Sequence, residues 1–215
     1  MKLKVLYMKA EQEYINDLKE IRSMMERSTR FLSLTGWSGI MAGVYALTGA
    51  FVAYTLYYES NEQLIYNTMD VAQMTGNSLQ FFLLAAAVLV LAVGTAIFLS
   101  WKKSAKTGEK LWNAAARRLA INLMIPLVSG GVFILILFSK GLFGLIAPVS
   151  LIFYGLALVN ASKFTFEEVK YFGMIEIVLG LIAAYFIGYG LLFWAIGFGF
   201  LHIVYGVYMH LKYER

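Results

Sequence analysis

Cysteine is absent from this chain of 215 residues, and proline occurs only twice. The absence of cysteine excludes disulfide bonds, thiolate metal ligands, iron–sulfur ligation and a cysteine nucleophile. Charged residues are also scarce, at 14% of the sequence, whereas a soluble domain carries about 25%. Hydrophobic residues make up 60% of the chain. This balance indicates a protein whose surface lies largely in lipid.

The chain contains six apolar runs, each close to the roughly 20 residues that an α-helix needs to cross a bilayer. The runs occupy 31–58, 79–101, 115–138, 142–160, 169–187 and 191–211. They lack the strict alternation that is typical of membrane β-strands. We therefore expect an all-α fold, a polytopic integral membrane bundle of six transmembrane helices within residues 31–215.

Residues 1–30 are predicted to form a cytoplasmic amphipathic helix that precedes the bundle. Apolar residues repeat there at spacings of four, three and four, at Tyr14, Leu18, Ile21 and Met25. This repeat places them on one helix face. We expect the helix to lie on the membrane surface or against the cytoplasmic loops. Self-association as a short coiled coil is the alternative.

The basic residues predict the orientation of the bundle. Seventeen of the 18 Lys and Arg residues fall on one side of the predicted spans, and only Lys140 falls on the other. The connection 59–78 contains three acidic residues and no basic one. Because basic loops stay in the cytoplasm, we expect both termini there and a multi-pass protein of the cell inner (cytoplasmic) membrane.

Two ionisable side chains lie well inside the predicted helices. Glu176 is the only acidic residue deep within a run, and His202 is the only histidine at such a position. Glu176 lies 13 residues before Tyr189, near the predicted turn, and His202 lies 13 residues after it. At about 1.5 Å per residue, both side chains are expected at the same depth, about 20 Å from the turn.

Small residues share the helix faces of these two side chains. They are Gly173, Gly180 and Ala184 on the fifth run, and Ala195, Gly199 and Gly206 on the sixth. Because small residues let membrane helices approach closely, the pattern predicts a tight hairpin of the fifth and sixth helices with Glu176 and His202 in the seam. Such a pair could hold or relay a proton or bind a ligand, or it could simply fasten the two helices.

Three further polar residues are candidates for a proton or ligand site, namely Tyr205, Asn122 and Tyr154. Pro126 removes the backbone hydrogen bond that the carbonyl of Asn122 would otherwise accept, so that carbonyl needs another donor.

Two surfaces are candidates for contact with lipids or proteins. Arg117 and Arg118 lie where the third helix enters the membrane, and they are predicted to contact lipid headgroups. Ala42, Ala46 and Ala50 repeat every four residues and form a ridge that could meet another helix, a second copy of the chain or a membrane partner. The lipid bilayer is the main expected partner, and no nucleic acid is expected.

Several membrane enzymes and cofactor proteins are disfavoured by the residues at hand. No Lys lies inside a span, where a retinal Schiff base would need one, and His202 and His210 lie on one helix, which cannot clamp a haem from both sides. A zinc site needs about three protein ligands, and only Glu176 and His202 converge. Motifs of zincins, serine hydrolases, Walker loops and Rossmann folds are missing. We therefore expect no cofactor or metal, and an enzyme is disfavoured.

Part of the chain resembles known membrane proteins. The stretch from Tyr154 to Gly206, with YGLALVNASKFT and IGYGLLFWAIGFGFLHIVYG, resembles small multi-pass bacterial membrane proteins, a likeness that implies no activity and no site. The chain is also similar to the substrate-binding subunits of energy-coupling-factor vitamin transporters. The shared features are six spans, a length of about 200 residues and an alanine ridge in the first helix.

Three functions follow as hypotheses. The first is a non-enzymatic membrane protein that binds a small ligand, lipid or partner as a sensor or accessory subunit. The second is a small proton- or cation-coupled transporter or channel that uses Glu176 and His202. The third is a haem or lipid-handling membrane enzyme with a cofactor on His202.

Overall fold

The computed structural model describes residues 31–57, 78–107 and 112–215, and these ranges contain helices and short connections but no β-strand. We number the helices in chain order. They are α1 Gly36–Tyr57, α2 Ser78–Thr107, α3 Ala114–Ser139, α4 Ile146–Ala161, α5 Glu168–Tyr185 and α6, which covers 190–213. The prediction of an all-α protein is confirmed for this part of the chain. The amphipathic helix predicted for 1–30 lies outside the described residues.

The sixth helix changes its winding along its length. Gly190–Trp194 is α-helical, Ala195–Leu201 is a π-helix, and His202–Tyr213 is α-helical again. A π-helical segment is rare and often lies at a functional site. Short 3₁₀ turns, Phe143–Leu145 and Ile187–Tyr189, lead into α4 and α6.

Five stretches of the described residues are long and apolar enough to cross a membrane. They are Gly36–Thr55, Phe82–Lys106, Ala114–Ser139, Phe143–Phe164 and Ile187–Tyr213. The helix α5 is not among them because its 18 residues include three ionisable side chains, Glu168, Lys170 and Glu176. The described chain thus has five apolar helices of the kind found in membrane proteins, and a sixth crossing by α5 stays a prediction.

The six helices pack as two groups of three. In one group α1 lies between α2 and α6, and in the other α4 lies between α3 and α5. The first turn of α6, Gly190–Trp194, contacts α4 and joins the two groups. Side chains of α4, α5 and α6 therefore meet at the boundary between the groups.

Glycines bring α4 and α5 into close contact. A methyl group on Gly155 would lie 2.5 Å from the carbonyl oxygen of Gly173, and one on Gly173 would lie 2.7 Å from the carbonyl oxygen of Gly155. A methyl group on Gly180 would clash in the same way with Ile152 of α4. Only a hydrogen atom fits at these positions, so the tight hairpin of this protein is formed by α4 and α5.

The predicted tight hairpin of the fifth and sixth helices is therefore wrong. Gly173 and Gly180 face α4, whereas Gly199 and Gly206 of α6 pack against α1. The backbones of α5 and α6 approach each other mainly beside their connecting turn. Farther along the two helices large side chains fill the space between them, which keeps the small residues from meeting.

The alanine ridge of α1 packs within the chain. Ala46 and Ala50 are only 2% and 6% exposed, and Ala42 is partly buried. Contact of this ridge with a second copy or a membrane partner, which the sequence suggested, stays a prediction.

Ends of all six helices meet at one end of the bundle. The hydroxyl of Ser104, near the end of α2, donates a hydrogen bond to Ser33, just before α1, at 3.0 Å. The carboxylate of Glu214, directly after α6, accepts a hydrogen bond from the backbone N–H of Gly36 at 2.9 Å. These contacts bring together the start of α1 and the ends of α2 and α6.

The remaining three helices reach the same end. The backbone N–H of Phe31 donates to the carbonyl oxygen of Phe164, between α4 and α5, at 2.7 Å, and its ring packs against Ala115 at the start of α3. The Tyr213 hydroxyl of α6 donates to Glu168 at the start of α5 at 2.8 Å. Each helix therefore runs from this end to the opposite one, and consecutive helices run in opposite directions.

The proline in α3 has the partner that its position requires. Pro126 cannot donate to the carbonyl oxygen of Asn122, and the side-chain amide of Asn160 on α4 donates to that oxygen at 2.9 Å. The prediction that the freed carbonyl needs another donor is confirmed. The hydrogen bond also links α3 to α4.

Candidate functional site

Glu176 is buried at the boundary between the two helix groups. Its side chain is 0% exposed, and neither carboxyl oxygen has a hydrogen-bond partner among the described residues. A methyl group on Gly197 of α6 would lie 2.6 Å from Oε2 and would also touch Leu151 and Leu179. A buried polar group without a hydrogen bond is costly and rare. Within the described part of the chain, Glu176 is such a group.

His202 is held by hydrogen bonds at both ring nitrogens. Its Nδ1 lies 2.9 Å from the carbonyl oxygen of Gly197, and its Nε2 lies 2.7 Å from the hydroxyl of Tyr154 on α4. A carbonyl oxygen can only accept, so Nδ1 carries the proton. In the neutral ring Nε2 then accepts from Tyr154, which defines the tautomer.

Glu176 and His202 lie side by side without a hydrogen bond between them. Glu176 Oε1 is 3.8 Å from His202 Nδ1, which is beyond hydrogen-bond distance. The proton on Nδ1 points to Gly197 in this arrangement. A small movement of the carboxyl would bring Oε1 within reach of the same proton.

Aromatic rings surround the imidazole of His202. Phe172 meets it edge-on at a centroid distance of 4.8 Å, and the rings of Tyr154 and Phe198 stack on it at 5.3 Å and 5.8 Å. Phe172 in turn stacks on Tyr205 at 4.6 Å with nearly parallel planes. These rings hold the imidazole in place and exclude bulk solvent from it.

The facing sides of α5 and α6 carry further polar groups toward the end where the helix ends meet. Glu168, Phe172 and Glu176 repeat every four residues and lie on one face of α5. Glu168 accepts hydrogen bonds from Lys212 and, at 2.8 Å, from Tyr213. This residue, just before the predicted fifth span, was not among the site candidates that the sequence offered, because charged residues are ordinary at helix starts. The available signal was its spacing of eight residues from Glu176, which places both carboxyl groups on one face of the helix.

The environment of Glu168 favours its charged form. Partial burial tends to raise the pKa of the carboxyl, but the hydrogen bonds from Lys212 and Tyr213 outweigh burial and hold the pKa below its usual value. Glu168 is therefore a carboxylate at neutral pH.

The structure brings together four of the five candidate proton or ligand residues. Glu176, His202, Tyr154 and Tyr205 lie in or beside one cluster, which also includes Gly197 and Phe172, two residues that the sequence did not single out. Asn122 lies elsewhere on α3, where its side chain donates to the carbonyl oxygen of Arg118 at 2.8 Å.

The two arginine candidates for lipid contact are exposed near the start of α3. Arg117 and Arg118 lie at the end of the bundle where the helix ends meet. They are well separated along α3 from the depth of Glu176.

Comparison of the chain with protein-family models, with curated proteins and with solved structures finds no match in any of the three.

Proposed function

We propose that this chain is a six-span membrane protein that binds and releases a proton at Glu176 and His202. We propose further that it is a small transporter, and that this proton exchange drives its transport. The observation that carries the proposal is the fully buried Glu176 carboxyl. Its oxygens lack a hydrogen-bond partner among the described residues, and Oε1 lies 3.8 Å from Nδ1 of His202. Ionisable groups inside a membrane are costly and mark proton relays and ion pathways.

The packing around the carboxyl favours a proton over a larger ligand. Gly197 approaches Oε2 so closely that a single methyl group would not fit between them. A small molecule at this oxygen would need the helices to separate. A proton needs no space.

The polar atoms near the carboxyl also favour a proton over a metal cation. A hard cation such as Na⁺ or Ca²⁺ takes several oxygen ligands. Here the polar groups beside Glu176 are the N–H of His202 and the carbonyl oxygen of Gly197, which already bind each other. Within the described ranges, no three His, Asp or Glu side chains converge on one point.

The haem hypothesis is weakened by the same geometry. A haem iron would need one free nitrogen of His202. Both ring nitrogens are hydrogen-bonded, to Tyr154 and to Gly197. Ligation would break one of these bonds and move the ring out of its aromatic surroundings.

The orientation of the bundle forms part of the proposal. The end of the bundle where the helix ends meet carries exposed basic side chains, and Lys140 lies at the opposite end. The exposed basic residues at that end are Lys102, Lys106, Arg117, Arg118, Lys163, Lys170, Lys212 and Arg215. By the positive-inside rule this end faces the cytoplasm. We therefore propose six crossings in the inner membrane with both termini inside.

A sensor or accessory subunit is the second candidate function. The observation that favours it is the exposure of Arg117 and Arg118 at the proposed cytoplasmic end, where anionic headgroups or an acidic partner would meet them. In that case protonation of the same site would alter contacts at this surface instead of driving flux.

Infrared difference spectroscopy of the purified protein in lipid tests the proton site. Between acidic and alkaline pH, we expect a carbonyl-stretch band of a protonated carboxylic acid that disappears in Glu176→Gln. Glu167→Gln is the matched control because Glu167 is an exposed carboxyl on the approach to the same helix. A band that Glu176→Gln leaves unchanged would overturn the proton site.

Proteoliposomes with a trapped pH-sensitive dye test the transport step. We expect wild type and Glu167→Gln to dissipate an imposed proton gradient and Glu176→Gln to lose this activity. Titration of Glu176 without any proton flux would reject the transporter in favour of the sensor.

A further inference from the structure

We propose that the seam between α5 and α6 is a proton path that connects Glu176 with Glu168 through His202, Tyr154 and Tyr205, and that it opens at the end of the bundle where the helix ends meet. This inference rests on the proposed proton site and adds the route and the side from which the site is reached. Tyr205 and Glu168 thereby become functional residues of the same site.

The path begins with one close approach and one hydrogen bond. His202 Nδ1 is 3.8 Å from Glu176 Oε1, and Nε2 accepts a hydrogen bond from Tyr154 at 2.7 Å. The imidazole therefore lies between a buried carboxyl and a hydroxyl. An imidazole in this position can give a proton from one nitrogen while it receives one at the other.

Tyr205 continues the line toward the end of the bundle. Its ring stacks on the ring of Phe172 at a centroid distance of 4.6 Å. Tyr154 also packs on Phe172, edge to face at a centroid distance of 6.5 Å, and Glu168 lies one turn before Phe172 on the same face of α5. We therefore place Tyr205 in the path between Tyr154 and the carboxylate at the start of α5.

Glu168 ends the line at the surface. One carboxyl oxygen accepts hydrogen bonds from Tyr213 and Lys212, whereas Oε2 is buried and has no hydrogen-bond partner among the described residues. Lys212 also contacts the hydroxyl of Tyr208 at 3.2 Å. An oxygen of Glu168 thus remains available to pass protons inward from the surface cluster.

The opposite side of Glu176 is closed by apolar residues. Leu151 is fully buried, and it converges with Leu179 on Gly197 next to the carboxyl. One turn beyond Leu179, Ala183 is also fully buried. None of these side chains can carry a proton, so the proposed path runs from Glu176 toward Glu168 and not past these residues.

Each step conserves protons. The Glu176 carboxylate takes the Nδ1 proton of His202, Nε2 takes the hydroxyl proton of Tyr154, and Tyr154 takes one from Tyr205. Tyr205 then receives a proton from water at the surface, either directly or through Glu168, whose carboxylate takes up that proton and passes it on. The net result is one proton moved to Glu176, with His202 left as the Nε2–H tautomer, and the reverse sequence restores the first state.

Time-resolved infrared spectroscopy after a pH jump tests the path in the full-length protein in lipid. In Tyr205→Phe we expect the carboxylic-acid band of Glu176 to rise more slowly by about tenfold or more, with unchanged final amplitude. Phe keeps the stacking on Phe172 and removes only the hydroxyl. Tyr171→Phe is the matched control because Tyr171 lies on α5 with its ring 58% exposed.

The outcomes separate the path from the proton site. A Glu176 band that rises at the wild-type rate in both Tyr205→Phe and Tyr154→Phe would overturn the path and leave the proton site intact. A Glu176 band that does not change with pH in wild type would overturn both. Slowing in Tyr205→Phe and Tyr154→Phe, but not in Tyr171→Phe, supports the path.

Discussion

Glu176 Oε1 and His202 Nδ1 face each other from α5 and α6 at 3.8 Å, and no hydrogen bond joins them. A helix fastener would be expected to make that bond, because a bond between buried polar groups is what contributes to helix association. Instead His202 donates to Gly197, and the carboxyl stays without a partner among the described residues. The pair is arranged so that one proton has two possible acceptors, which is a requirement for transfer.

Gly197→Ala is expected to destabilise the protein and displace the Glu176 carboxyl. The new methyl group would lie 2.4 Å from Leu151 and 2.6 Å from Glu176 Oε2. Overpacking of this kind costs about 1–3 kcal/mol. Unfolding in mixed detergent micelles measures the free energy, and the carboxylic-acid infrared band reports the displacement.

Gly94→Ala is the control for this substitution. Gly94 lies inside α2, and an added methyl group there would meet no atom within 4 Å. Its free energy of unfolding should be unchanged or slightly increased, because alanine favours helix over glycine. Equal losses of stability in the two variants would show that the close contact at Gly197 is not the cause.

The tautomer of His202 is a second prediction. Because Nδ1 donates to the carbonyl of Gly197, nitrogen-15 NMR of histidine-labelled protein at neutral pH should show a protonated Nδ1 and an unprotonated Nε2. In Tyr154→Phe the Nε2 resonance should shift toward that of a free acceptor, while Nδ1 stays protonated.

Assignment is simple because the chain has only two histidines. His210→Gln removes the second signal and leaves that of His202. A proton found on Nε2 of His202 at neutral pH would contradict the hydrogen-bond arrangement described here.

The link between Asn160 and Asn122 gives a double-mutant prediction. Asn160→Ala removes the amide that donates to the Asn122 carbonyl at 2.9 Å. We expect a loss of about 0.6 kcal/mol and at most about 1.7 kcal/mol, the average and the maximum measured for hydrogen bonds between membrane helices. Pro126→Ala restores a backbone N–H that can donate to the same carbonyl.

Asn160→Ala should therefore lower the free energy of unfolding much less in Pro126→Ala protein than in wild type. Chemical unfolding of the four proteins of this cycle gives the coupling energy. Additive losses would show that Asn160 stabilises the bundle in another way.

The helices and the equal depth of Glu176 and His202 could be predicted from the sequence because each depends on short stretches of the chain. Apolar length predicts a helix that crosses a bilayer, and each predicted run overlaps an observed helix, for example 79–101 within Ser78–Thr107. The equal distances of Glu176 and His202 from the turn depend only on helix rise. Both are properties of one segment at a time.

Helix pairing could not be predicted in the same way. The spacing of Gly173 and Gly180 predicts that one face of α5 packs closely against another helix. It does not indicate that this helix is α4, where Gly155 meets Gly173, instead of α6. The partner is selected by the volumes of side chains on several helices at once. Phe172 and Tyr205 are too large to let α5 and α6 close, and that information is distributed over both helices.

The absence of cysteine allows a direct test of the proposed orientation, because single-cysteine variants carry one reactive thiol. Lys106, in the last turn of α2, and Lys140, directly after α3, are both exposed and belong to opposite ends of the bundle. We expect a membrane-impermeant maleimide to label Lys140→Cys in intact cells and Lys106→Cys only after permeabilisation. Lys102→Cys is the control for Lys106→Cys, since it lies one turn earlier on the same helix.

Labelling of Lys106→Cys, but not Lys140→Cys, in intact cells would reverse the orientation. The proton path would then open to the outside, and Glu176 would be protonated from that side of the membrane.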